Sequence, residues 1–400
     1  MYKEITQCRA CGGKSLSEVF DLGYQPLAND FVFPGGERQG LAPLKVMFCP
    51  DCTLSQLSVV VDPKILYSNY LYVTSSSDTM LRHFDRLVKD IISENGKGVM
   101  VEVGANDGAF LAFAQSKGFE KVIGIDPAAN LVGRNGVNIV TGFFDQKTAS
   151  VAGEKLKSKA NVIVARHVFC HLNWQDFIAG ITELSNSETL VCIEVPYVAD
   201  LLHKGEFDTI YHEHTSYLSI RSLVALLKGS PFHIHGIMRY GIHGGSVLVM
   251  LRNNESREAR HLSADEVLNE ENISAKDWQD FSIKANSKIE ILRQLVFEAK
   301  GKGKIVSMFG ASAKSTVLIN ACGFTEKEIS FVTDNTPLKP GRMVPASTIP
   351  IIDEGQMLSE HPDFSIMSAW NFKVEILEKQ EKWRKRGGKF IIPTGRVEVV

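Results

Sequence analysis

A buried strand, a turn of small residues, a helix and a second strand ending in an acid occur twice in this chain, once around Gly104 and again around Gly310. In the first copy Gly98 to Val103 reads as the strand and Gly104-Ala105-Asn106-Asp107-Gly108 as the turn. Ala109 to Lys117 reads as the helix and Lys121 to Asp126 as the second strand. In the second copy Lys304 to Phe309, Gly310-Ala311-Ser312-Ala313-Lys314-Ser315 and Ile329 to Asp334 fill the same places. Parallel strands need a long crossover, usually helical, so each copy commits its stretch to an α/β layer with its turn at the carboxyl ends of the strands. Further βα units at Asn161 to Ala165 and Thr189 to Val195 extend the first copy into a doubly wound sheet. The expected fold class is α/β, with a central doubly wound Rossmann-like domain and a second Rossmann-like domain at the carboxyl end.

The first turn is built for a nucleoside cofactor. Gly104 lets backbone approach the ligand, and Asp126 stands where an acid takes both ribose hydroxyls. Spacing alone leaves NAD and S-adenosyl-L-methionine open. Glu102-x-Gly104-x-Asn106-Asp107-Gly108 lacks the third glycine that packs a helix under a pyrophosphate, and its acids would repel phosphate. A cationic sulfonium suits Glu102, Asn106, Asp107 and Asp126 better. In the second copy the helix amides and Lys314 suit a phosphate, and Asp334 repeats the strand-end acid, so this unit is expected to hold another nucleotide-bearing molecule.

At 400 residues the chain has room for two or three domains of about 150 residues each. Cys8-Arg9-Ala10-Cys11 and Cys49-Pro50-Asp51-Cys52 form two Cys-x-x-Cys knuckles, which together supply four thiolates for one tetrahedral Zn²⁺. Gly12-Gly13 eases the sharp turn beneath the metal. A redox pair is the rival reading, but no thioredoxin-like βαβ context surrounds either knuckle. Four protein ligands leave no open position, so the metal is expected to be structural. Polar Asn253 to Trp278 marks a boundary, and Gln279 to Lys300 an amphipathic connecting helix. The expected domains are therefore 1–66, zinc-binding; 67–255, cofactor-binding; and 256–400, a Rossmann-like domain for the second nucleotide-bearing molecule. A net charge of −2 offers no electrostatic footprint for nucleic acid. The first residues lack the apolar run of a signal peptide, and no stretch approaches about 20 uninterrupted apolar residues, so a cytoplasmic protein with no membrane contact is expected.

One stretch answers to no folding rule. Glu206-Phe207-Asp208-Thr209-Ile210-Tyr211-His212-Glu213-His214-Thr215-Ser216-Tyr217 crowds a phenol, two imidazoles and a carboxylate into four positions, Tyr211 to His214. A core segment would be apolar, and a solvated loop would use Gly, Ser, Asn or Lys. Upstream, the tyrosine-rich passage Tyr67 to Ser77 leads into a helix expected from Asp78, as N-cap, through Ile92. Downstream, Arg239 to Val249 reads as two strands around His243-Gly244-Gly245-Ser246, a turn able to present amides and one imidazole.

Taken together, the two knuckles, Asp21-Leu22-Gly23-x-Gln25-Pro26-Leu27-Ala28, Glu102-x-Gly104-x-Asn106-Asp107-Gly108, Phe207-Asp208-x-Ile210-Tyr211-His212-Glu213-His214-x-Ser216-Tyr217, His243-Gly244-Gly245-Ser246, Gly310-Ala311-x-Ala313-Lys314 and Trp370-Asn371 stand in an order that resembles the bacterial nucleotide-sugar C-methyltransferases. The likeness runs end to end and is to the deoxysugar C3-methyltransferases of the mycarose and tetronitrose type. It implies an amino-terminal zinc domain, a central S-adenosyl-L-methionine domain, and a carboxy-terminal domain that helps hold a nucleotide-linked 4-keto-6-deoxyhexose of the dTDP or GDP type. It further implies that Tyr211 and His214 manage the C3 proton, with Glu213, His212 and Tyr72 as neighbouring active-site positions. Tyr70, His243, Gly244, Lys314 and Asp334 are the positions expected toward the sugar nucleotide. Arg166-His167-Val168 departs from the Asn-Asn or similar that relatives often carry there, and His167 is the residue expected beside the cofactor. A monomer is expected.

The implied chemistry is physically coherent. A C–H next to a ketone is too weakly acidic for neutral water, so a base and an oxyanion stabiliser must act together. An imidazole such as His214 suits the base because it titrates near neutrality. Tyr211 is left two roles: donor to the enolate oxygen, or relay for the proton. An O- or N-methyltransferase of the same architecture is the alternative, since it needs a base and no enolate stabiliser.

Overall fold

The computed structural model describes residues 1–73, 77–254 and 261–400. Thr74-Ser75-Ser76 of the tyrosine-rich passage and the expected boundary between residues 255 and 256 lie outside the described residues.

The central sheet has seven strands in the order His233–Tyr240, Ser246–Arg252, Leu190–Pro196, Val162–Arg166, Val99–Val103, Lys121–Asp126 and Ile139–Thr141. The last five are parallel, and the hairpin of the first two enters antiparallel beside Leu190–Pro196. Every residue of Val99–Val103 is buried. Its alternate side chains feed two cores: Val101 and Val103 join Ile163 and Ala165 on one face, and Met100 joins Phe84, Phe110 and Val164 on the other. A strand covered on both faces has no polar side to show, which is why the sequence reads as a continuous apolar run. The strand order reverses between Val99–Val103 and Val162–Arg166, so the loops after them part and leave a crevice at Gly104 and His167.

The carboxy-terminal sheet repeats the plan. Ile351–Asp353, Val332–Asp334, Val306–Phe309, Phe364–Met367 and Lys389–Ile392 run parallel, with Glu398–Val399 antiparallel at the edge. The two acid-ended strands also match in detail. Asp126 accepts from the backbone N–H of Asn106 and Ala128, both at 2.8 Å, and Asp334 accepts from those of Ala311 and Thr336, also at 2.8 Å.

An antiparallel sheet joins these two units. It runs Ser216–Tyr217, Ser55–Leu57, Leu41–Phe48, Ser17–Pro26, so the end of the central stretch supplies its edge strand. The run from Leu54 to Val61 divides at Ser58: Ser55–Leu57 pairs with Leu41–Phe48, and Val59–Val61 with Tyr2–Glu4. Trp278, expected within a polar boundary, is buried near the start of helix Ala275–Gly301 and donates its Nε1–H to Ser55 Oγ at 2.8 Å. Phe20, Leu57, Trp278, Phe281, Val306 and Ile366 belong to one apolar cluster, so the helix ties the amino-terminal sheet to the carboxy-terminal one.

Helix Asp78–Asn95 is capped differently from the expectation. Ser77, and not Asp78, is its N-cap. The acceptor for its free amino end is Glu375 of the carboxy-terminal unit, which takes Ser77 Oγ–H, Thr79 N–H and Thr79 Oγ1–H at 3.1, 3.0 and 2.7 Å. No described helix is long and apolar enough to cross a membrane.

Candidate active site

A cavity of about 500 Å³ opens where the three sheets converge. Its wall takes Asn29, Tyr67 and Tyr70 from the amino-terminal region, Gly104, Asp126 and His167 from the crevice, and Tyr211 and His214 from the central stretch. Lys314 and Asn371 close the side facing the carboxy-terminal unit. Of the non-glycine residues with left-handed backbone, Asn106 (φ 52°), His167 (φ 53°) and His243 (φ 51°) all line it. That conformation is costly for a residue with a Cβ, so its concentration at one wall marks backbone held for a purpose other than stability.

At the crevice, Asp126 reaches the cavity while its two oxygens anchor the turn through Asn106 N–H and Ala128 N–H. Each carboxylate oxygen keeps a second lone pair for a ribose hydroxyl. A Cβ on Gly104 would lie 2.7 Å from Val168 Cγ2, so only glycine lets the turn close here. Phe143, Phe144 and Ala128 add apolar surface to this end. An acid at the strand end, a glycine turn and apolar walls fit the nucleoside of S-adenosyl-L-methionine.

Two of the expected cofactor residues are not brought to the cavity. Glu102 is fully buried, and Arg166 donates to its Oε1 from Nε at 3.0 Å and from a terminal nitrogen at 2.6 Å. The guanidinium in turn lies over the Phe84 and Phe110 rings, 4.6 and 4.2 Å from their centroids. Burial pushes Glu102 up to about 7, and Arg166 pulls against it. The charge that sequence reasoning aimed at the cofactor is spent on this internal pair. Asp107 is likewise buried, its carboxylate accepting from Ala109 N–H at the start of the next helix. His167 does line the cavity, with its Nε2 3.6 Å from the buried Glu194, and its ring meets that of His243 edge to face at 4.5 Å.

At the centre, the Tyr211 hydroxyl is 2.8 Å from His214 Nε2, and His214 Nδ1 is 2.9 Å from the Thr209 carbonyl. A carbonyl only accepts, so Nδ1 carries the proton and donates, and Nε2 must accept from Tyr211. Burial, with His171 nearby, holds His214 well below the usual imidazole range, and burial with Glu213 holds Tyr211 well above the usual phenol range. Both therefore rest neutral. Glu213 does not face the cavity. It accepts from Asn29 Nδ2 at 2.6 Å and Tyr70 Oη at 2.8 Å, its backbone carbonyl accepts from Tyr67 Oη at 3.1 Å, and burial pushes its carboxyl up to about 7. His212 points the other way, its Nε2 3.2 Å from the carbonyls of Ala42 and Pro43, and is 1% exposed. Tyr72 and Tyr70 both line the cavity.

Toward the carboxy-terminal unit, Lys314 Nζ donates to Asn371 Oδ1 at 3.0 Å and lies 4.6 Å over the Trp370 ring. Asn371 Nδ2 is 3.2 Å from His243 Nδ1. Asp334 is not on the cavity: Lys339 Nζ sits 3.4 Å from it and donates to the Ala311 carbonyl at 2.8 Å, filling the place that the cavity occupies beside Asp126. Gly244 also stands back from the cavity, and its role is steric. A Cβ there would lie 2.4 and 2.6 Å from the two Glu206 oxygens, and one on Gly245 would lie 2.1 Å from Asp200 Oδ2. The glycine pair expected to present amides makes room for two carboxylates instead.

Sequence reasoning passed over Asn29, Tyr67, His171, Glu206 and Asn371. Tyr67 and Asn371 stood inside quoted motifs, and Glu206 opened the central stretch. His171 carried no signal: only the fold stacks it on Tyr67 at 5.5 Å and sets it 5.2 Å from the His214 ring.

The four knuckle thiols are brought together. Their sulfur atoms lie within 4.8 Å of one another, with Cys8–Cys52 at 3.4 Å and Cys11–Cys49 at 3.6 Å. A zinc tetrahedron with Zn–S bonds near 2.3 Å has edges of about 3.8 Å, so the cluster fits the ion with little adjustment. A Cβ on Gly13 would lie 3.3 Å from Cys11 Sγ and 3.6 Å from Cys49 Sγ. Cys8, Cys49 and Cys52 pack into the same core as the central sheet, so the metal steadies the floor on which the central stretch rests.

Comparison with known proteins agrees with this geometry. Family models match residues 8–67 as a zinc binding domain, 79–235 as a methyltransferase domain and 241–394 as a C-methyltransferase C-terminal domain. The C-methyltransferase NovU of Streptomyces niveus is 31% identical over 414 aligned residues, which cover 100% of this chain and 97% of that one. The chain belongs to the C-methyltransferase family. It is a C-methyltransferase that uses S-adenosyl-L-methionine and carries a structural zinc on Cys8, Cys11, Cys49 and Cys52. Solved structures with partial similarity include a SAM-dependent methyltransferase from Archaeoglobus fulgidus, at 18% identity and a TM-score of 0.33 over 40% of this chain and 73% of that one. Another is the magnesium protoporphyrin IX methyltransferase of Synechocystis with bound SAM, at 14% identity and a TM-score of 0.32 over 44% of this chain and 82% of that one.

Proposed function

We propose that this C-methyltransferase acts on C3 of a nucleotide-linked 4-keto-6-deoxyhexose, of the dTDP or GDP type, and that Tyr211 and His214 remove the C3 proton. The observation that carries the reading is the Tyr211–His214 hydrogen bond at the centre of the cavity, with the far nitrogen of the imidazole fixed on Thr209. A hydroxyl or amine acceptor would need a single base. A carbon next to a ketone needs a base held ready in a dry site, because its proton is far less acidic.

The hydrogen bond favours the relay among the two roles open to Tyr211. Its proton passes to His214 Nε2 while its oxygen takes the proton from C3, and the C–H electron pair becomes the C3–C4 double bond with negative charge on O4. Thr209 keeps Nδ1 protonated and the ring in place throughout. Burial penalises an isolated imidazolium, so charge forms on His214 only together with the enolate that balances it. Glu213 fixes Tyr70 and Asn29 at the wall, and Asp126 and Gly104 hold the nucleoside end of the cofactor so that the acceptor carbon and the methyl lie in contact. S-adenosyl-L-methionine, when bound, supplies the electrophilic methyl group. His243, Tyr70, Tyr72 and Lys314 are the residues assigned to the sugar nucleotide. A division near residues 66 and 255 suits these roles, and a cytoplasmic monomer suits a soluble nucleotide sugar.

The test is a panel of dTDP- and GDP-linked 4-ketosugars with methyl-labelled S-adenosyl-L-methionine. The expected product carries the label on C3 and has lost its C3 hydrogen. Label on oxygen or nitrogen, or no transfer to any ketosugar, would refute the reading.

A further inference from the structure

Tyr211 has one hydroxyl proton and His214 holds it, so the enolate oxygen of the substrate must find a different donor. Several polar groups of the cavity wall are already engaged: Tyr70 Oη and Asn29 Nδ2 on the Glu213 carboxylate, Tyr67 Oη on its carbonyl, and Lys339 on Ala311. Glu206 differs. It lines the cavity, is 4% exposed, and its Oε1 has no hydrogen-bond partner among the described residues. Its carboxyl lies flat against Gly244, closer than any Cβ would allow. The chain thus gives up a side chain at residue 244 to seat an acid with a buried, unpartnered oxygen.

Resting on the enolate reading above, we propose that Glu206 works as a neutral carboxylic acid, with Lys314 beside it, and donates a hydrogen bond to the substrate's ketone oxygen as C3 loses its proton. No covalent bond changes hands at Glu206: its O–H stays on it, and the interaction strengthens as O4 gains charge. Glu206, Lys314, Tyr211 and His214 all line the one cavity, so acid, lysine and base reach the same substrate. The groups that face Glu206 are Asp208 on its own turn, Lys204 at the end of helix Val198–Lys204, Lys288 on helix Ala275–Gly301, Lys314 on helix Ala313–Cys322, and His243 beside its glycine seat. Lys204 is held by the Gly244 carbonyl and Lys288 by the carbonyls of Lys204 and Gly205. Asp208 takes Trp370 Nε1–H at 2.6 Å. Burial and Asp208 push the Glu206 carboxyl up to about 8 against the pull of the three lysines, so it keeps its proton at neutral pH.

The experiment measures exchange of the C3 hydrogen with deuterated solvent by NMR, on whichever ketosugar nucleotide the wild type accepts, with S-adenosylhomocysteine bound to complete the cavity. Glu206→Ala and Glu206→Asp should lower the exchange rate by about 10² to 10³, the usual loss of one oxyanion donor, with S-adenosylhomocysteine affinity unchanged as proof of fold. Glu206→Gln keeps a donor at every pH, so it should stay within about tenfold of wild type and lose the wild-type fall in rate above pH 8. Glu206→Ala within about threefold of wild type, or Glu206→Gln as slow as Glu206→Ala, overturns the proposal, and the unpartnered His171 Nε2 becomes the donor to test. A wild type that exchanges no ketosugar at all refutes the enolate reading itself, which separates the two failures.

Discussion

Replacing Asp126 with alanine separates the turn it holds from the cofactor contact proposed for it. In the structure its oxygens accept two backbone N–H groups at 2.8 Å, from Asn106 and Ala128, and the same carboxylate lines the cavity. Hydrogen bonds to a charged group are worth about 1.5 to 3 kcal/mol, so loss of the ribose contact should weaken S-adenosyl-L-methionine binding about 10- to 100-fold. The two abandoned N–H groups are left without their acceptor, so the free protein should lose about 1 to 3 kcal/mol for each. Asparagine is no milder, because its amide must turn an N–H toward one of the two backbone donors. Isothermal calorimetry with S-adenosylhomocysteine gives the affinity, and thermal unfolding without ligand gives the stability. Affinity within twofold of wild type, at any stability, would refute the placement of the ribose on Asp126. A loss of affinity that vanishes on cooling to temperatures where the variant is fully folded would show the carboxylate to be purely a brace.

Cys49→Ala should drop zinc content from one ion per chain toward none and lower the melting temperature, since three thiolates cannot close the tetrahedron; full zinc by elemental analysis would contradict the four-cysteine assignment. Tyr211→Phe and His214→Asn should each slow C3 hydrogen exchange by about 10² to 10⁴ while leaving S-adenosylhomocysteine affinity intact. The double variant should be little slower than either single one, because both act on one proton transfer, and multiplicative losses would separate their roles. His212→Ala should behave in the opposite way, losing about 1 to 3 kcal/mol of stability from the buried bonds to Ala42 and Pro43 with exchange by the surviving folded enzyme unchanged. A slowed exchange at full folding would bring His212 back to the chemistry.

By itself the sequence determined what depends on local pattern. Apolar strands, glycine turns and strand-end acids announce both α/β units, because a strand covered on two faces and a turn with positive φ leave few residue choices. Two Cys-x-x-Cys knuckles announce a metal, since thiolate spacing is itself the geometry of the site. The crowding of Tyr211, His212, Glu213 and His214 announced chemistry for the same kind of reason.

Which of those four face the cavity was decided only by tertiary structure. The stretch runs from the cavity into the edge of the amino-terminal sheet, so neighbouring side chains point to different places: Tyr211 and His214 to the cavity, His212 to the carbonyls of strand Leu41–Phe48, and Glu213 to Tyr70 and Asn29. Glu102 and Asp334 were equally legible as acids, and the fold spent them on cations: Arg166, 64 residues away, in the first case and Lys339, 5 residues on, in the second. Glu206 opened the same stretch in sequence, but only the fold sets it against the cavity with an unpartnered oxygen. A charge's role depends on what lies within a few ångströms of it, and folding sets those neighbours: Asn29, which binds Glu213, lies 184 residues away in sequence.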